Sequence, residues 1–177
     1  IVNRVFLADG DALVLPTRRL LAILQAIREH MPEVRRVSSY CLPRNLAKKS
    51  VEELAQLREA GLKILYVGME SGDDEILRRV NKGETWESTR SALVKIREAG
   101  LVSSVMVLNG LGGEALSWQH AINTAALCNE TQPDYLSTLV VSFPQGEERF
   151  REGFGADFVP LGQQALFEEI RVFLEHL

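Results

Sequence analysis

Five apolar runs in this chain each end in polar or glycine-rich chemistry. In order, the ends read Asp9-Gly10-Asp11, Ser38-Ser39-Tyr40, Gly68-Met69-Glu70-Ser71, Asn109-Gly110-Leu111-Gly112-Gly113 and Ser142-Phe143-Pro144. A carboxylate accepts hydrogen bonds from an amine and from a ribose diol alike, so acids at two of these ends suit a ligand that carries both. Glycine has no Cβ and lets backbone come close to a flat ring.

Most of these residues also have a plain structural use. Ser71, Asp73, Asp74 and Glu75 suit the cap and first turn of a helix, where anions are favoured. Asp9 and Asp11 suit a turn equally well. Gly110, Gly112 and Gly113 alone read as a turn, and Asn81-Lys82-Gly83 as a helix end with a basic residue and a stop. Glu70 differs. Its neighbours already supply the cap, and an unpaired carboxylate beside a buried strand is costly. A ligand-facing role is expected there.

Positioning these residues takes strands and helices in alternation. Residues 4–8 read as a strand, and 17–30 as a helix with Leu20, Leu21, Leu24 and Ile27 at helical spacing. A strand over 34–40 follows. Ser50 and Glu53 then form a capping box for a helix that stops at Gly61. The next strand runs toward Glu70 and is followed by a short helix over 73–80. Thr85 and Ser88 precede a longer helix that ends at Gly100, and 102–108 is a strand. A helix near 117–130 and a strand near 135–142 come next, then a loop-like stretch to Gln163 and a final helix. The six residues LREAGL at 57–62 return as IREAGL at 96–101, each a helix end, a glycine stop and a new strand. These are about five βα units, spaced as a parallel sheet requires. A doubly wound sheet and part of a (β/α) barrel both fit, and in both, ligands bind at the C-terminal strand ends.

The whole chain sets limits on function. Its 177 residues suit one domain, and a net charge of −4 gives no basic stripe for nucleic acid or an anionic membrane. No apolar stretch approaches the roughly 18 residues of a membrane span. The sequence starts almost directly in a strand, without Met or a signal segment, and is expected to be cut from something longer. Cys41 and Cys128 are expected to be reduced, buried thiols of a cytoplasmic protein.

Taken in order, the strand ends resemble the later part of a radical S-adenosylmethionine (SAM) enzyme core. YVGMESGDDEILRRVNKGET resembles the superfamily's fourth-strand signature, an apolar strand ending Gly-x-Glu-Ser-Gly with a downstream Lys-Gly. VMVLNGLGGE resembles its fifth-strand motif, FLADGDAL its second-strand Gly-Gly-Glu/Asp motif, and SFPQGE the Pro-x-Gly turn after strand six. The nearest flavour is the group of Fe–S oxidoreductases related to oxygen-independent coproporphyrinogen oxidase.

The resemblance implies a fold, a cofactor set and a site. The fold is a partial (β/α) barrel of five parallel strands with helices on the outer face, residues 1–177 being one domain that spans strands two to six of the core. Gly10 and Asp11 would hold the SAM amino group, Glu70 the ribose hydroxyls or amine, and Gly110 and Gly113 would shape the backbone around adenine. Arg44 or Lys82 would meet the SAM carboxylate. Asp9 departs from the family by standing at the first glycine of its triplet, and Gly112 by replacing the usual proline. The family's Cys-x-x-x-Cys-x-x-Cys is absent, so the [4Fe–4S] ligands are expected outside this chain, which alone would be inactive. A reductant such as flavodoxin or ferredoxin and a small-molecule or macromolecular substrate are the implied partners, without a membrane. The first strand, with few blunting residues, is expected to be a free sheet edge, and the chain to self-associate through it or through its exposed concave surface, the other end being better protected by 145–162 and the last helix. Two alternatives stay open: a non-radical (β/α) enzyme fragment binding phosphate or carboxylate, and a non-catalytic α/β interaction module.

Overall fold

The computed structural model describes residues 2–144 and 146–177; Ile1 of the expected N-terminal run and Gln145 of the Pro144–Gly146 turn lie outside them. The strands β1 (Arg4–Asp11), β2 (Arg36–Cys41), β3 (Leu62–Glu70), β4 (Val102–Asn109) and β5 (Tyr135–Val140) form one parallel sheet in the order β1-β2-β3-β4-β5. The helices are α1 (Thr17–His30), α2 (Pro43–Leu46), α3 (Val51–Ala60), α4 (Asp74–Arg79), α5 (Trp86–Glu98), α6 (Gly113–Thr131), α7 (Glu148–Phe154) and α8 (Gln163–Glu175). Right-handed crossovers that always advance one strand in the same direction belong to a barrel arc; a doubly wound sheet reverses its order at a switch point. The sequential order therefore decides between the two architectures in favour of the (β/α) barrel type.

The chain packs as two compact units. The first holds the chain up to Gly68 with Ser91–Val105 and Pro133–Tyr135. Here β1 pairs with β2 and β2 with β3, Phe6 opposite Ser38 and Tyr40 opposite Tyr66. Strand alternation places Val37, Leu65 and Val67 in the core with Leu20 and Leu24 of α1 and Leu54 and Leu57 of α3. Phe6, Tyr40 and Tyr66 gather on the sheet, with ring centroids 4.7 to 6.2 Å apart. The capping box of α3 forms as expected, Glu53 N–H donating to Ser50 Oγ and Ser50 N–H to Glu53 Oε2.

The second unit holds Met69–Arg90, Met106–Gln132 and Leu136–Leu177. Its centre is α6 packed on α8, with an aromatic cluster of Phe143, Phe150, Phe154 and Phe158 beside them. That cluster explains α7, which falls in a stretch expected to be loop. Seven residues with Gly153 among them carry little helix propensity, but packing of Phe150 and Phe154 and the Glu147–Arg151 pair at 3.0 Å stabilise the turns. Helix α6 also starts at Gly113, earlier than the expected 117, because the glycines that read as a turn are its first residues. The expectation that the far sheet edge is covered needs correction: Tyr135, Leu139 and Val140 of β5 are 50 to 61% exposed.

Candidate functional site

In the first unit the candidates are Gly10, Asp11 and Arg44. The β1–β2 register runs from Leu7 opposite Ser39 directly to Asp11 opposite Tyr40, so Ala8, Asp9 and Gly10 bulge out of the ladder. Asp9 and Gly10 have φ of 61° and 95°. The position that carries glycine in the related motif needs a left-handed backbone, and aspartate is among the few other residues that adopt it readily. The bulge aims Asp11 at the next loop. Its Oδ1 accepts the Leu13 N–H at 2.7 Å, and its Oδ2 accepts the Leu42 N–H at 2.6 Å and Asn45 Nδ2–H at 2.8 Å. Three donors leave a carboxylate about one further acceptor position for a ligand. Asp11 thus caps the single 3-10 turn Ala12–Val14 and braces the entry to α2, the short helix that carries exposed Arg44.

In the second unit Glu70, Lys82, Gly110 and Gly113 are the candidates. Strand β3 ends in a three-residue γ-turn, Ser71 N–H donating to Met69 C=O at 2.7 Å, with Glu70 at its centre and φ of +61°. A left-handed glutamate is strained, and such strain concentrates at functional positions. Next, Gly72 meets α6 so closely that a Cβ there would lie 2.4 Å from Asn123 C=O and 2.6 Å from Thr124 Cα. That contact requires the glycine of the Glu-Ser-Gly triplet. Asp73 caps α4 through the Ile76 N–H at 3.0 Å and accepts from Gln119 and Asn123 of α6.

Lys82 is set by the end of α4. Asn81 is left-handed at φ 53°, and Lys82 N–H reaches back to Leu77 C=O at 3.0 Å, the bond pattern of a Schellman stop. From there Lys82 Nζ donates to Glu70 Oε1 at 2.9 Å, the two side chains 18% and 23% exposed. The structure thus corrects the premise of an unpaired Glu70: the acid is ion-paired to Lys82, itself one of the candidates. Oε2 of Glu70 keeps acceptor capacity, and the Lys82 ammonium supplies a positive charge beside it. This donor and acceptor set fits SAM.

Gly110 and Gly113 flank the turn after β4 and are both buried. The Gly110 N–H donates to Glu169 Oε1 at 2.6 Å, and a Cβ on Gly113, at φ +60°, would lie 2.7 Å from Val159 C=O and 2.9 Å from the Phe158 ring. Glycine at 113 therefore has a packing reason of its own.

Sequence reasoning missed His120 and Glu169. Ser71 Oγ lies 2.8 Å from His120 Nδ1 and also accepts the Asp73 N–H. The buried His120 Nε2 has no hydrogen-bond partner and lies 4.0 Å from Glu169 Oε1. Burial holds His120 below its ordinary value, partly opposed by the Glu169 carboxylate and the Leu108 carbonyl. A signal was present: Glu169 interrupts an apolar stripe made by Leu166 and Phe173 on α8.

The cysteines do not fit an iron–sulfur site. Both are buried, and burial pushes the Cys128 thiol up to about 12, away from the thiolate that iron binds. Among the described residues no three His, Cys, Asp or Glu side chains converge on a metal position. None of the described helices is long and apolar enough to cross a membrane.

Comparison with known proteins gives a consistent result. The Radical SAM superfamily model matches residues 1–128. The heme chaperone HemW of Bacillus subtilis (strain 168) is 25% identical over 126 residues, which cover 70% of this chain and 33% of HemW. Coproporphyrinogen III oxidase (HemN) from Escherichia coli, a radical SAM enzyme, aligns with a TM-score of 0.77 at 20% identity, over 98% of this chain and 40% of HemN. Elp3 from the archaeon Methanocaldococcus infernus aligns with a TM-score of 0.70 at 16% identity, over 96% of this chain and 44% of its own. The chain spans less than half the length of each of these relatives. The structural likeness shows the fold, a partial (β/α) barrel of the radical SAM type. Four strand-end motifs in order and a family match over most of the chain lead to one conclusion: the chain belongs to the radical SAM superfamily.

Proposed function

We propose that this chain is the SAM-binding part of a radical SAM Fe–S oxidoreductase. The observation that carries the reading is the Glu70–Lys82 pair at 2.9 Å, on a strained turn at the end of a core strand. Glu70 Oε2 accepts the ribose hydroxyls or amine, and Lys82 meets the SAM carboxylate, with Arg44 the alternative. Asp11 uses its remaining acceptor position for the amino group beside Gly10, and the Gly110–Gly113 turn lies against adenine. These residues bind and orient; they move no proton. When bound, the cofactors would supply reductive cleavage of SAM to a 5′-deoxyadenosyl radical for abstraction of a substrate hydrogen. With only Cys41 and Cys128 present, the [4Fe–4S] ligands lie outside this chain.

In this reading residues 1–177 form one domain, strands two to six of the radical SAM core. The protein is cytoplasmic, takes its electron from flavodoxin or ferredoxin, and acts on a substrate recognised by segments beyond those described. The isolated chain self-associates through the edge of β1, where Phe6 is 40% exposed, or through its concave surface. The test uses the intact protein: reconstitute it anaerobically, add dithionite and SAM, and quantify 5′-deoxyadenosine by chromatography. Formation of 5′-deoxyadenosine supports the reading. A cluster-free protein, or a loaded one that leaves SAM intact, overturns it.

A further inference from the structure

We propose that Glu169 and His120 are positioning residues that set the shape of the two strand ends, Glu70–Ser71 and Gly110–Gly113, between which SAM is recognised; the proposal rests on the SAM-binding reading above. Glu169 is 2% exposed on the apolar stripe of α8. A buried carboxylate is expensive unless a cation or several donors offset it. Its described hydrogen-bond partners are the Gly110 N–H and the Ser117 hydroxyl, each at 2.6 Å, and buried His120 packs beside it with Nε2 4.0 Å away. Leucine or methionine at this stripe position would pack without that cost. What the carboxylate adds is a charge-assisted grip on the Gly110 N–H, stronger than a neutral acceptor provides.

The grip has a consequence for recognition. With its N–H turned into the core, Gly110 itself offers a ligand no amide donor. The second strand end belongs to the same network. Ser71 Oγ and His120 Nδ1 are hydrogen-bonded at 2.8 Å, and His120 Nε2 packs 4.0 Å from Glu169 Oε1. Ser71 also closes the γ-turn that aims Glu70. A buried line from Ser71 through His120 and Glu169 to Gly110 therefore ties both ends to one geometry.

The test measures amide hydrogen exchange of the ligand-free chain and, separately, its affinity for SAM, in wild type, E169A, E169Q and H120N. In E169A the Gly110 amide should exchange at least about tenfold faster and SAM bind about tenfold more weakly, as expected for losing a charge-assisted bond. E169Q keeps an acceptor for Gly110 and a donor for Ser117, and should restore both to within about threefold of wild type. H120N should loosen the Ser71 and Gly110 amides together. If E169A does not fold, H120N decides: unchanged Gly110 exchange and unchanged SAM affinity overturn the proposal. A folded E169A with wild-type exchange at Gly110 and wild-type affinity overturns it equally. A wild-type chain that binds no SAM, yet loses Gly110 protection in E169A, would refute the SAM reading while supporting the positioning of the turn.

Discussion

Replacing Glu70 by alanine and by glycine separates the two things this residue does. Alanine removes the ion pair to Lys82 and keeps a side chain at φ +61°; glycine removes both the pair and the strain. The pair is largely shielded, at 18% and 23% exposure, so its loss should cost near the upper end of the range for such pairs, about 1 kcal/mol. A left-handed L-residue costs roughly 1–2 kcal/mol. Glycine offsets about 0.5–1 kcal/mol of that relief through its more flexible unfolded chain. E70G should therefore exceed E70A by roughly 0.5–1 kcal/mol, about 2 °C in Tm for a chain of this size. Urea and thermal unfolding of both variants, with SAM titration of each, provide the readout. Both should lose SAM affinity, and the more stable variant should gain none of it back. An E70A more stable than E70G would show that the strained turn is not what the chain adopts. Wild-type SAM binding in either would remove Glu70 from the site.

Three further outcomes follow from particular contacts. G72A places a methyl 2.4 Å from a helix carbonyl that cannot move alone, and should lose about 3 kcal/mol or more of stability, measured by urea unfolding. His120 is held below its ordinary 6.5, so the unfolded chain binds its proton first; stability from this residue is complete above about pH 6.5 and falls as the pH drops toward the folded value. Unfolding from pH 7.5 to 5 should show that slope in wild type and lose it in H120N. Iron and sulfide reconstitution of the isolated chain should leave no [4Fe–4S] absorbance and no SAM cleavage under dithionite, because it holds only Cys41 and Cys128, both buried. Cleavage would mean that the cluster ligands have been misplaced.

Much of the fold was legible because its signals are local. Alternating strands and helices, the Ser50–Glu53 capping box and the glycine stops at Gly61 and Gly100 all act within a few residues. The (β/α) barrel type was legible only through family resemblance, since periodicity does not report strand order. Helix α7 was not legible because its stability comes from aromatic packing across the loop, and β5 was expected to be covered when its apolar residues are exposed. At the site, Glu70 stood out by a local argument, that its neighbours already supplied the cap. The helix stop at Asn81-Lys82-Gly83 was legible too, but not that it carries Lys82 onto Glu70, 12 residues away. Glu169 lies 59 residues from Gly110, and no local pattern links a buried acid to its distant donor. The structural duties of Asp11 and Gly113 were hidden for the same reason: their partners, Asn45 and Phe158, are remote in sequence.

Binding of SAM through Glu70 and Lys82 is decided by calorimetric titration of the chain with SAM, beside E70Q and K82M. Saturable 1:1 binding should weaken about tenfold or more in each variant, since each loses a charged partner of the ligand. Absence of saturable binding to the wild-type chain, or equal affinity in all three proteins, would contradict it.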